Sequence, residues 1–399
     1  MLTPEQNELV TRTGPGTTMG NLLRRYWIPI LLREELPEND CPPVRVKLLS
    51  ERLLAWRDTT GRYALTDEFC AHRGVSLWFG RNEENGLRCP YHGWKYDVTG
   101  QCVEVPSEPE NSGFCNRIRL KSYPLVESGG ILWAYMGPAE LTPVLPAFEW
   151  TQLPAAQTYF SKRWQECNYM QAMEGGIDSS HVSFLHSGEL HTDPLHRDTM
   201  GAHYQRDRKP KFEVIESPGG LYIGARRNAE PGYYYWRITQ WIMPWYTMVP
   251  PYGDNALNAH AWVPIDDENC FTWTFTYHPT RPLSATELDT MRKGGIAALT
   301  KVLAMEYGSY GIRVNTVAPG GTEISDRVTP RQLIRPGVLA EEGQEMENYR
   351  REMAQDIRNQ QALRRRGLPE EQAAAIAFLS SEDASFITGQ VINCSGGQS

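Results

Sequence analysis

Cys70-Ala71-His72 and, after sixteen intervening residues, Cys89-Pro90-Tyr91-His92 are the two segments of the chain that carry most of its chemistry. Each places one cysteine and one histidine close together, and the gap between the segments has about the length of a β-hairpin. Thiolates and imidazoles are good ligands for iron and zinc, so these four side chains on two loop tips predict a metal site.

Two kinds of metal site are compatible with this set of side chains. A structural zinc site of the Cys2His2 kind usually has both cysteines in one pair and both histidines in the other. Mixed pairs are instead typical of a Rieske [2Fe–2S] cluster, in which two cysteines bind one iron and two histidines the other. Gly74, just after the first pair, lets backbone N–H groups approach the cluster sulfurs. We predict that the cluster ligands are Cys70, His72, Cys89 and His92.

These motifs and their flanks resemble the N-terminal domain of the Rieske non-haem iron oxygenases. The stretch 67–100 and Tyr26-Trp27-Ile28-Pro29 are similar to the aromatic-ring-hydroxylating, phthalate dioxygenase type, and the resemblance covers about residues 1–290. It implies the oxygenase component of a multicomponent system, with a [2Fe–2S] cluster and a mononuclear Fe(II). It also implies a separate NAD(P)H-dependent reductase, a small aromatic, phthalate-like substrate with O2, and a homotrimer.

Composition excludes several classes of partner. The chain has 399 residues and a net charge of −8, which argues against binding to nucleic acid. It contains no apolar run of membrane-spanning length, and its first twenty residues lack the apolar core of a signal peptide. The cysteines outside the two motifs follow no regular spacing, which is typical of reduced thiols. The sequence therefore predicts a cytoplasmic protein without a membrane partner.

A second motif runs from Asp178 through His181 to His186. Two histidines and one carboxylate form the facial triad of non-haem Fe(II) oxygenases and leave positions open for other ligands. Asp178 and His181 are three residues apart and would share a helical face. On an ideal helix His186 would point about 140° away from His181. We therefore predict a helix end or a π-bulge at 183–185, so that both histidines bind one iron.

The carboxylate of this second site stays open on sequence grounds. The resemblance implies that Asp178 is a bridge for electrons between His181 and a cluster histidine of a neighbouring subunit, and that Asn168 is a catalytic polar residue near the iron. The third ligand would then be an aspartate nearer the C-terminus. Asp356 is a candidate, although its segment is equally typical of a dehydrogenase helix. Arg206 and Arg208 are more typical of a solvated loop than of a substrate site.

The oxygenase resemblance stops near residue 290. From Lys293 onward the chain resembles the C-terminal part of a short-chain dehydrogenase, with a buried parallel strand in 312–320, a helix in 369–381 and a last strand in 386–393. Lys293 matches the catalytic lysine of that family, but Asp289 stands where its tyrosine is expected, so we expect no hydride transfer. A natural fusion and an assembly artefact both explain such a junction.

Local patterns predict a short helix over 21–29, strand-like runs at 44–49 and 53–57, alternating strands at 237–242 and 271–276, and an apolar helix from Lys293 to Glu306. The predicted fold is α+β in three parts. Residues 1–145 form an all-β Rieske [2Fe–2S] domain with N-terminal helices, and residues 146–290 form a truncated catalytic domain, an antiparallel sheet with helices. Residues 291–399 form an α/β, Rossmann-like fragment. The predicted function is aromatic hydroxylation by a Rieske oxygenase component. The alternative is a Rieske electron-transfer protein or an inactive chimera, because the exchanged C-terminus leaves the mononuclear iron site incomplete.

Overall fold

The computed structural model divides the chain into two compact units, Met1–Leu288 and Asp289–Ser399. In the first unit it describes residues 2–109, 112–185, 207–250 and 253–288. In the second unit it describes residues 291, 300, 303–304, 307–308, 310–319, 363–365 and 367–396. No helix of these ranges is long and apolar enough to cross a membrane.

The first unit is mostly β-structure. Its elements in chain order are α1 (Pro4–Thr11), α2 (Thr18–Leu23), β1 (Trp27–Leu32), β2 (Val44–Leu48), β3 (Glu51–Arg57), β4 (Tyr63–Asp67), β5 (Arg81–Glu83), β6 (Gly86–Arg88), β7 (Lys95–Tyr96), β8 (Cys102–Glu104), β9 (Ser122–Tyr123), β10 (Leu125–Ser128), β11 (Ile131–Tyr135), α3 (Glu149–Gln152), β12 (Thr158–Gln165), α4 (Tyr169–Ile177), β13 (Lys211–Ser217), β14 (Gly220–Asn228), β15 (Tyr234–Ile242), β16 (Tyr246–Val249), β17 (Leu257–Pro264) and β18 (Cys270–Tyr277).

Three small antiparallel sheets make up the N-terminal part, in the orders β1-β11-β10, β2-β3-β4-β9 and β5-β6-β7-β8. The strands predicted at 44–49 and 53–57 are confirmed as β2 and β3. Leu49 and Ser50 join them in a tight turn with φ of 48° and 68°, the left-handed conformation that two-residue hairpin loops need. The sheet β5-β6-β7-β8 carries the second Cys-His segment between β6 and β7.

The predicted helix over 21–29 is wrong in its second half. The helix α2 ends at Leu23, and Trp27–Leu32 is the strand β1, paired antiparallel with β11. Burial explains the difference, since four of the six residues of the strand, including Trp27, lie in the core and are stabilised by packing rather than by helix propensity. The strand accommodates Pro29 at an irregularity in its register between Pro29 and Leu31.

A seven-stranded antiparallel sheet forms the rest of the first unit, in the order β12-β18-β17-β16-β15-β14-β13. The strands predicted at 237–242 and 271–276 are confirmed within β15 and β18. Helix α4 packs against β15, β16 and β17, and its Tyr169 and Met173 join the core beneath the sheet. The second motif begins at Asp178, directly after the last residue of α4, Ile177, so the packing of α4 sets where the motif starts.

The second unit contains an α/β fragment. Strands β19 (Thr316–Pro319) and β20 (Val391–Cys394) pair in parallel, and helix α5 (Pro369–Ser380) contacts both. The predicted helix over 369–381 and the parallel direction of the strands are confirmed. Arg313 donates to the carbonyl oxygens of Leu379 and Ala384 at 2.6 and 2.8 Å, and so anchors the end of α5. The helix predicted from Lys293 lies outside the described residues.

Candidate metal centres

Each Cys-His segment is a loop closed by the same two backbone hydrogen bonds. In the first, the Cys70 N–H donates to the Val75 carbonyl at 2.9 Å, and the Gly74 N–H donates to the Cys70 carbonyl at 2.9 Å. An antiparallel bridge between Phe69 and Ser76 closes the base of the loop. Gly74 has φ of 67°, which a side chain would strain, so glycine is required for this tight return.

The second loop repeats the pattern. The Cys89 N–H donates to the Trp94 carbonyl at 2.8 Å, and the Gly93 N–H donates to the Cys89 carbonyl at 3.1 Å. Gly93 has φ of 73°, and a Cβ there would lie 3.0 Å from Pro106. Two loops of one geometry therefore present their cysteines and histidines from neighbouring sheets.

The structure brings all four predicted cluster residues together. Cys70 and Cys89 are both buried, at 3% exposure, in one apolar cluster, and the imidazole centroids of His72 and His92 are 4.4 Å apart. Within the described residues, no three His, Cys, Asp or Glu side chains gather around a single metal position. A cysteine pair beside a histidine pair fits a centre with two metal positions better than one tetrahedral ion.

The surroundings of His72 and Cys70 determine which protonation state each side chain offers to a metal. The Nδ1 atom of His72 is buried and has no hydrogen-bond partner among the residues that the structure describes. Burial, His92 and Arg73 together lower the pKa of His72, which favours the neutral imidazole that binds metals. Burial raises the pKa of the Cys70 thiol, so without a cation the sulfur is held protonated. A bound metal would supply the partner that the His72 Nδ1 lacks and the positive charge that an ionised Cys70 needs.

Two aromatic residues after the second loop hold the centre, and the sequence interpretation gave them no role there. The Trp94 ring stacks on His72 with centroids 4.6 Å apart and planes 7° apart. The hydroxyl of Tyr96 lies 3.2 Å from the Cys70 Sγ and accepts from the Ala71 N–H at 3.2 Å. Burial and the neighbouring Cys70 raise the pKa of Tyr96, so its O–H proton stays available to the sulfur. Trp94 and Tyr96 are two residues apart at the start of β7, and this spacing, which places side chains on one face of an extended segment, could have pointed to both.

The second motif begins where α4 ends. Helix α4 stops at Ile177, and Asp178 has extended backbone angles, φ −74° and ψ 115°. Its carboxylate accepts from the Ser180 N–H at 2.7 Å and the His181 N–H at 3.2 Å, and lies 3.5 Å from the His181 Nδ1. The expectation that Asp178 and His181 share a helical face is therefore wrong, because the aspartate instead starts a new turn.

This geometry keeps Asp178 ionised and sets the direction of His181. Partial burial would raise the pKa of Asp178, but the N–H groups of Ser180 and His181 and the imidazole itself bring it below its usual value. His181 lies in a 3-10 turn, His181–Ser183, which ends inside the predicted window, so the chain has a helix end there rather than a π-bulge. His186 and Asp356 lie outside the described residues.

Asn168 lies at the other end of α4. Its side chain caps the helix by accepting from the Met170 N–H at 3.0 Å, and its amide donates to the carbonyls of Thr11 and Asp267 at 3.0 and 2.7 Å. The cap thus uses the side-chain oxygen and both amide hydrogens. These contacts support a role in placing α4, and the catalytic role predicted for Asn168 stays a prediction.

Two buried arginines beside the turn were not singled out from the sequence. Arg227 on β14 is fully buried and donates to the Ser179 carbonyl at 2.7 Å and to the Asp207 carbonyl at 3.1 Å. Arg237 on β15 is 7% exposed and donates to the Ser179 Oγ at 2.8 Å. Each arginine lies at a buried position of a strand whose residues alternate in burial around it. This alternation was the signal in the sequence that could have predicted their burial. Arg208, considered from the sequence, is instead exposed.

Three family models match the chain. Residues 26–124 match the Rieske [2Fe–2S] domain, and residues 134–316 match a family described as LigXa C-terminal domain like. Residues 274–399 match enoyl-(acyl carrier protein) reductase, in the region where the sequence resembles a short-chain dehydrogenase.

Curated relatives are similar over the first three quarters of the chain. The 3-chlorobenzoate-3,4-dioxygenase oxygenase subunit of Comamonas testosteroni is 40% identical over 297 residues, 74% of this chain and 67% of that protein. The phthalate 4,5-dioxygenase oxygenase subunit of Pseudomonas putida is 38% identical over 302 residues, 73% of this chain and 68% of that protein. About a third of each relative is therefore unmatched.

Among solved structures, dicamba monooxygenase bound to 3,6-dichlorosalicylic acid has a similar fold. It superposes with a TM-score of 0.54 at 21% identity, over 73% of this chain and 91% of that one. A methylxanthine-demethylase relative, NdmA of Pseudomonas putida in a mutant form with theobromine, gives a TM-score of 0.52 at 24% identity, over 72% and 81% of the two chains.

Proposed function

Because the chain belongs to the Rieske non-haem iron oxygenases of the phthalate dioxygenase type, we propose that it is an oxygenase component that hydroxylates an aromatic acid. The cofactors of such a protein are a [2Fe–2S] cluster and a mononuclear iron. The proposal depends on one observation. In a chain 40% identical to a dioxygenase subunit, two loops of the same geometry place Cys70 and Cys89 in one buried cluster and His72 beside His92.

Cys70 and Cys89 would bind one iron of the cluster, and His72 and His92 the other. When bound, a cluster of this kind takes up and releases one electron at a time. The protein contributes buried surroundings for the sulfurs and a stacked Trp94 that fixes the plane of His72. Both features hold the ligands in place before and after the change in charge.

His181 and His186 would hold the mononuclear iron, with a carboxylate as third ligand. Asp356 remains a candidate for that carboxylate. Asp178 is proposed as the bridge rather than as a ligand, because its oxygens already accept from two backbone N–H groups and face the His181 Nδ1. A carboxylate at Nδ1 fixes the tautomer that leaves Nε2 of His181 for the metal. The iron supplies the activation of O2, and the protein supplies orientation.

The substrate is proposed to be an aromatic carboxylate. The two relatives are named for 3-chlorobenzoate and phthalate, which are both aromatic acids. In this chain the buried Arg237 lies against Ser179, next to Asp178, and its Nε has no hydrogen-bond partner in the described part of the chain. A buried guanidinium with an unused N–H group is suited to bind an anion close to the iron.

The partners and assembly follow from the family. The relatives are named as subunits, which supports a separate electron donor for this chain as well. That donor is proposed to be an NAD(P)H-dependent reductase, and the assembly a homotrimer. A cytoplasmic site is also proposed, supported by eight cysteines that are all free thiols in the structure.

One observation favours a second function. Residues 274–399 match a reductase family, whereas the relatives are matched over only about two thirds of their length. If the exchanged region carries no third iron ligand, the chain would be a Rieske electron carrier or an inactive chimera. The predicted boundaries, 1–145, 146–290 and 291–399, place that exchange beyond His181.

Metal and sulfide analysis tests both functions. We expect three irons and two acid-labile sulfides per chain, and His181→Ala is expected to retain two of each. A wild-type protein with only two irons and two sulfides would instead support the carrier. Zinc without sulfide in freshly prepared protein would rule out both proposals. Sequencing the DNA across codons 285–295 would show whether the junction is natural.

A further inference from the structure

The loop that carries Cys70 and His72 is built on an exposed group of aromatic rings and guanidinium groups. We name this group the aromatic–arginine patch, and it consists of Arg45, Arg52, Phe69, Trp78 and Phe79. Phe69 directly precedes Cys70, and its bridge to Ser76 closes the loop. The patch therefore lies at the base of one of the two loops that would hold the cluster.

The rings of the patch are exposed but ordered. Trp78 and Phe79 are 41% and 63% exposed, and Phe69 is 36% exposed. The guanidinium of Arg45 lies 4.3 Å from the centroid of Trp78, and that of Arg52 lies 4.7 Å from Phe69. Such contacts fix the rings without burying them. Tryptophan and arginine are also the residues most enriched among those that dominate binding energy at protein interfaces.

A single buried carboxylate supports both guanidinium groups. Glu68, whose side chain is 3% exposed, binds the Arg45 Nε at 2.8 Å and the Arg52 Nε at 3.3 Å. It also accepts from the Ser76 hydroxyl at 2.7 Å. Two cations against one anion leave this site positive, on a chain whose net charge is −8. The sign of the patch is thus opposite to that of the molecule.

We propose that the aromatic–arginine patch is the docking surface for an acidic, one-electron donor protein. The inference rests on the proposed function, in which electrons come from a separate protein. In each encounter the reduced donor loses one electron and the centre held by Cys70, Cys89, His72 and His92 gains it, and no bond forms or breaks.

The charge and the size of the aromatic–arginine patch both favour an acidic electron-donor protein as its partner. An acidic donor is repelled by the chain as a whole and attracted at the patch, so the field orients the encounter before contact. Transient redox complexes bury less than about 1,200 Å² in total, and an area of a few aromatic side chains is of that kind. A tight permanent partner would need a larger and more apolar surface.

The test measures electron transfer with an acidic plant-type [2Fe–2S] ferredoxin as the probe. The photoreduced ferredoxin is mixed with the iron-loaded full-length protein in an anaerobic stopped-flow instrument, and bleaching of the cluster is followed. Two double variants are compared, Trp78→Ala with Phe79→Ala, and Arg45→Gln with Arg52→Gln. The glutamines retain N–H donors for Glu68. Tyr233→Ala and Arg117→Gln serve as exposed controls of matched type.

We expect the second-order rate constant to fall at least tenfold in both double variants and to stay unchanged in both controls. Wild-type protein should slow steeply with ionic strength, and the arginine variant less so. Reduction by dithionite should be equal in all five proteins. The side chains of Trp78 and Phe79 are uncharged, and removing them leaves Glu68 both of its arginine partners. The aromatic variant therefore tests the docking surface even if the arginine variant loses its sulfide.

Three outcomes would overturn the proposal. These are equal ferredoxin rates in wild type and the aromatic variant, a wild-type rate that is absent or insensitive to salt, and a smaller native mass in either variant. The last would assign the patch to contact between copies of this chain. All three outcomes are judged on protein that contains acid-labile sulfide. A wild-type protein without sulfide would instead overturn the proposed function.

Discussion

The hydroxyl oxygen of Tyr96 lies 3.2 Å from the sulfur of Cys70, and the Ala71 N–H donates to the same oxygen. When Cys70 is an ionised metal ligand, its sulfur has no proton to donate, so the O–H group of Tyr96 would donate to the sulfur. A hydrogen bond to a ligand sulfur stabilises the more negative, reduced cluster. With Cys70 as a cluster ligand, the pair would therefore act on the reduction potential as well as on packing.

Tyr96→Phe should lower the midpoint potential of the cluster by about 60 mV, which for one electron corresponds to about 1.4 kcal/mol. The change removes one oxygen and keeps the ring, so sulfide content should not change. Protein-film voltammetry or a redox titration followed by EPR measures the shift. Tyr63→Phe, on the neighbouring sheet, is the control and should leave the potential unchanged. An unshifted potential in Tyr96→Phe would refute the hydrogen bond.

Asp178→Asn should slow electron transfer between the two metal centres about 10- to 100-fold. The amide has the same size but no negative charge, so it orients His181 less well and cannot form the ionised bridge. Single-turnover oxidation of the reduced cluster by O2 and substrate measures the rate. Glu174→Gln, exposed on the same helix, should behave as wild type. Loss of one iron in Asp178→Asn would instead identify Asp178 as a ligand.

Arg237→Gln should weaken the binding of aromatic acids about tenfold to a hundredfold, since a charge-assisted hydrogen bond contributes about 1.5–3 kcal/mol. Calorimetry with 3-chlorobenzoate measures the loss, and 3-chlorobenzamide, which has no charge, should bind both proteins alike. Arg208→Gln removes an exposed arginine and is the matched control. Equal affinity of wild type and Arg237→Gln for the acid would exclude this role.

Glu287 links stability to pH at the end of the first unit. Burial would raise the pKa of Glu287, but Arg281 and the N–H groups of Ser284 and Ala256 lower it to about 2. A depressed carboxyl pKa contributes stability above the unfolded value, near 4.5, and this contribution is lost as pH falls towards 2.

Glu287→Gln should therefore cost about 3 kcal/mol at pH 7. The difference from wild type should shrink below pH 4.5 and vanish only below pH 2, once the wild-type carboxyl is itself protonated. Denaturant unfolding across this pH range measures it. Glu268→Gln, an exposed carboxyl of the same unit, should show no such dependence. A constant difference at all pH values would contradict the shifted pKa.

The metal-binding motifs and the local secondary structure were the features most readily predicted from the sequence. Two cysteines and two histidines in mixed pairs predicted one site because few ligand sets combine these spacings, and Cys70, Cys89, His72 and His92 do meet. Apolar strand-like runs predicted β2 and β3, and alternating patterns predicted β15 and β18.

The predictions that failed concern residues whose structure depends on contacts with distant segments of the chain. The sequence predicts residues 27–29 as the end of a helix, because the pairing partner that makes them a strand, β11, is about a hundred residues away. The turn at Asp178 could not be seen, because the aspartate competes for backbone N–H groups only once α4 has ended. Arg237 was overlooked, since a single arginine in a strand is usually solvated and only the folded sheet shows that it is buried.

Arg227 connects two points that are distant along the chain, because its guanidinium donates both to the Ser179 carbonyl and to the Asp207 carbonyl. Both acceptors belong to the backbone, so this connection depends on the side chain of Arg227 and not on which side chains stand at positions 179 and 207. Substitutions at those two positions can therefore leave the connection intact, whereas loss of the guanidinium removes a donor from both carbonyl groups at once.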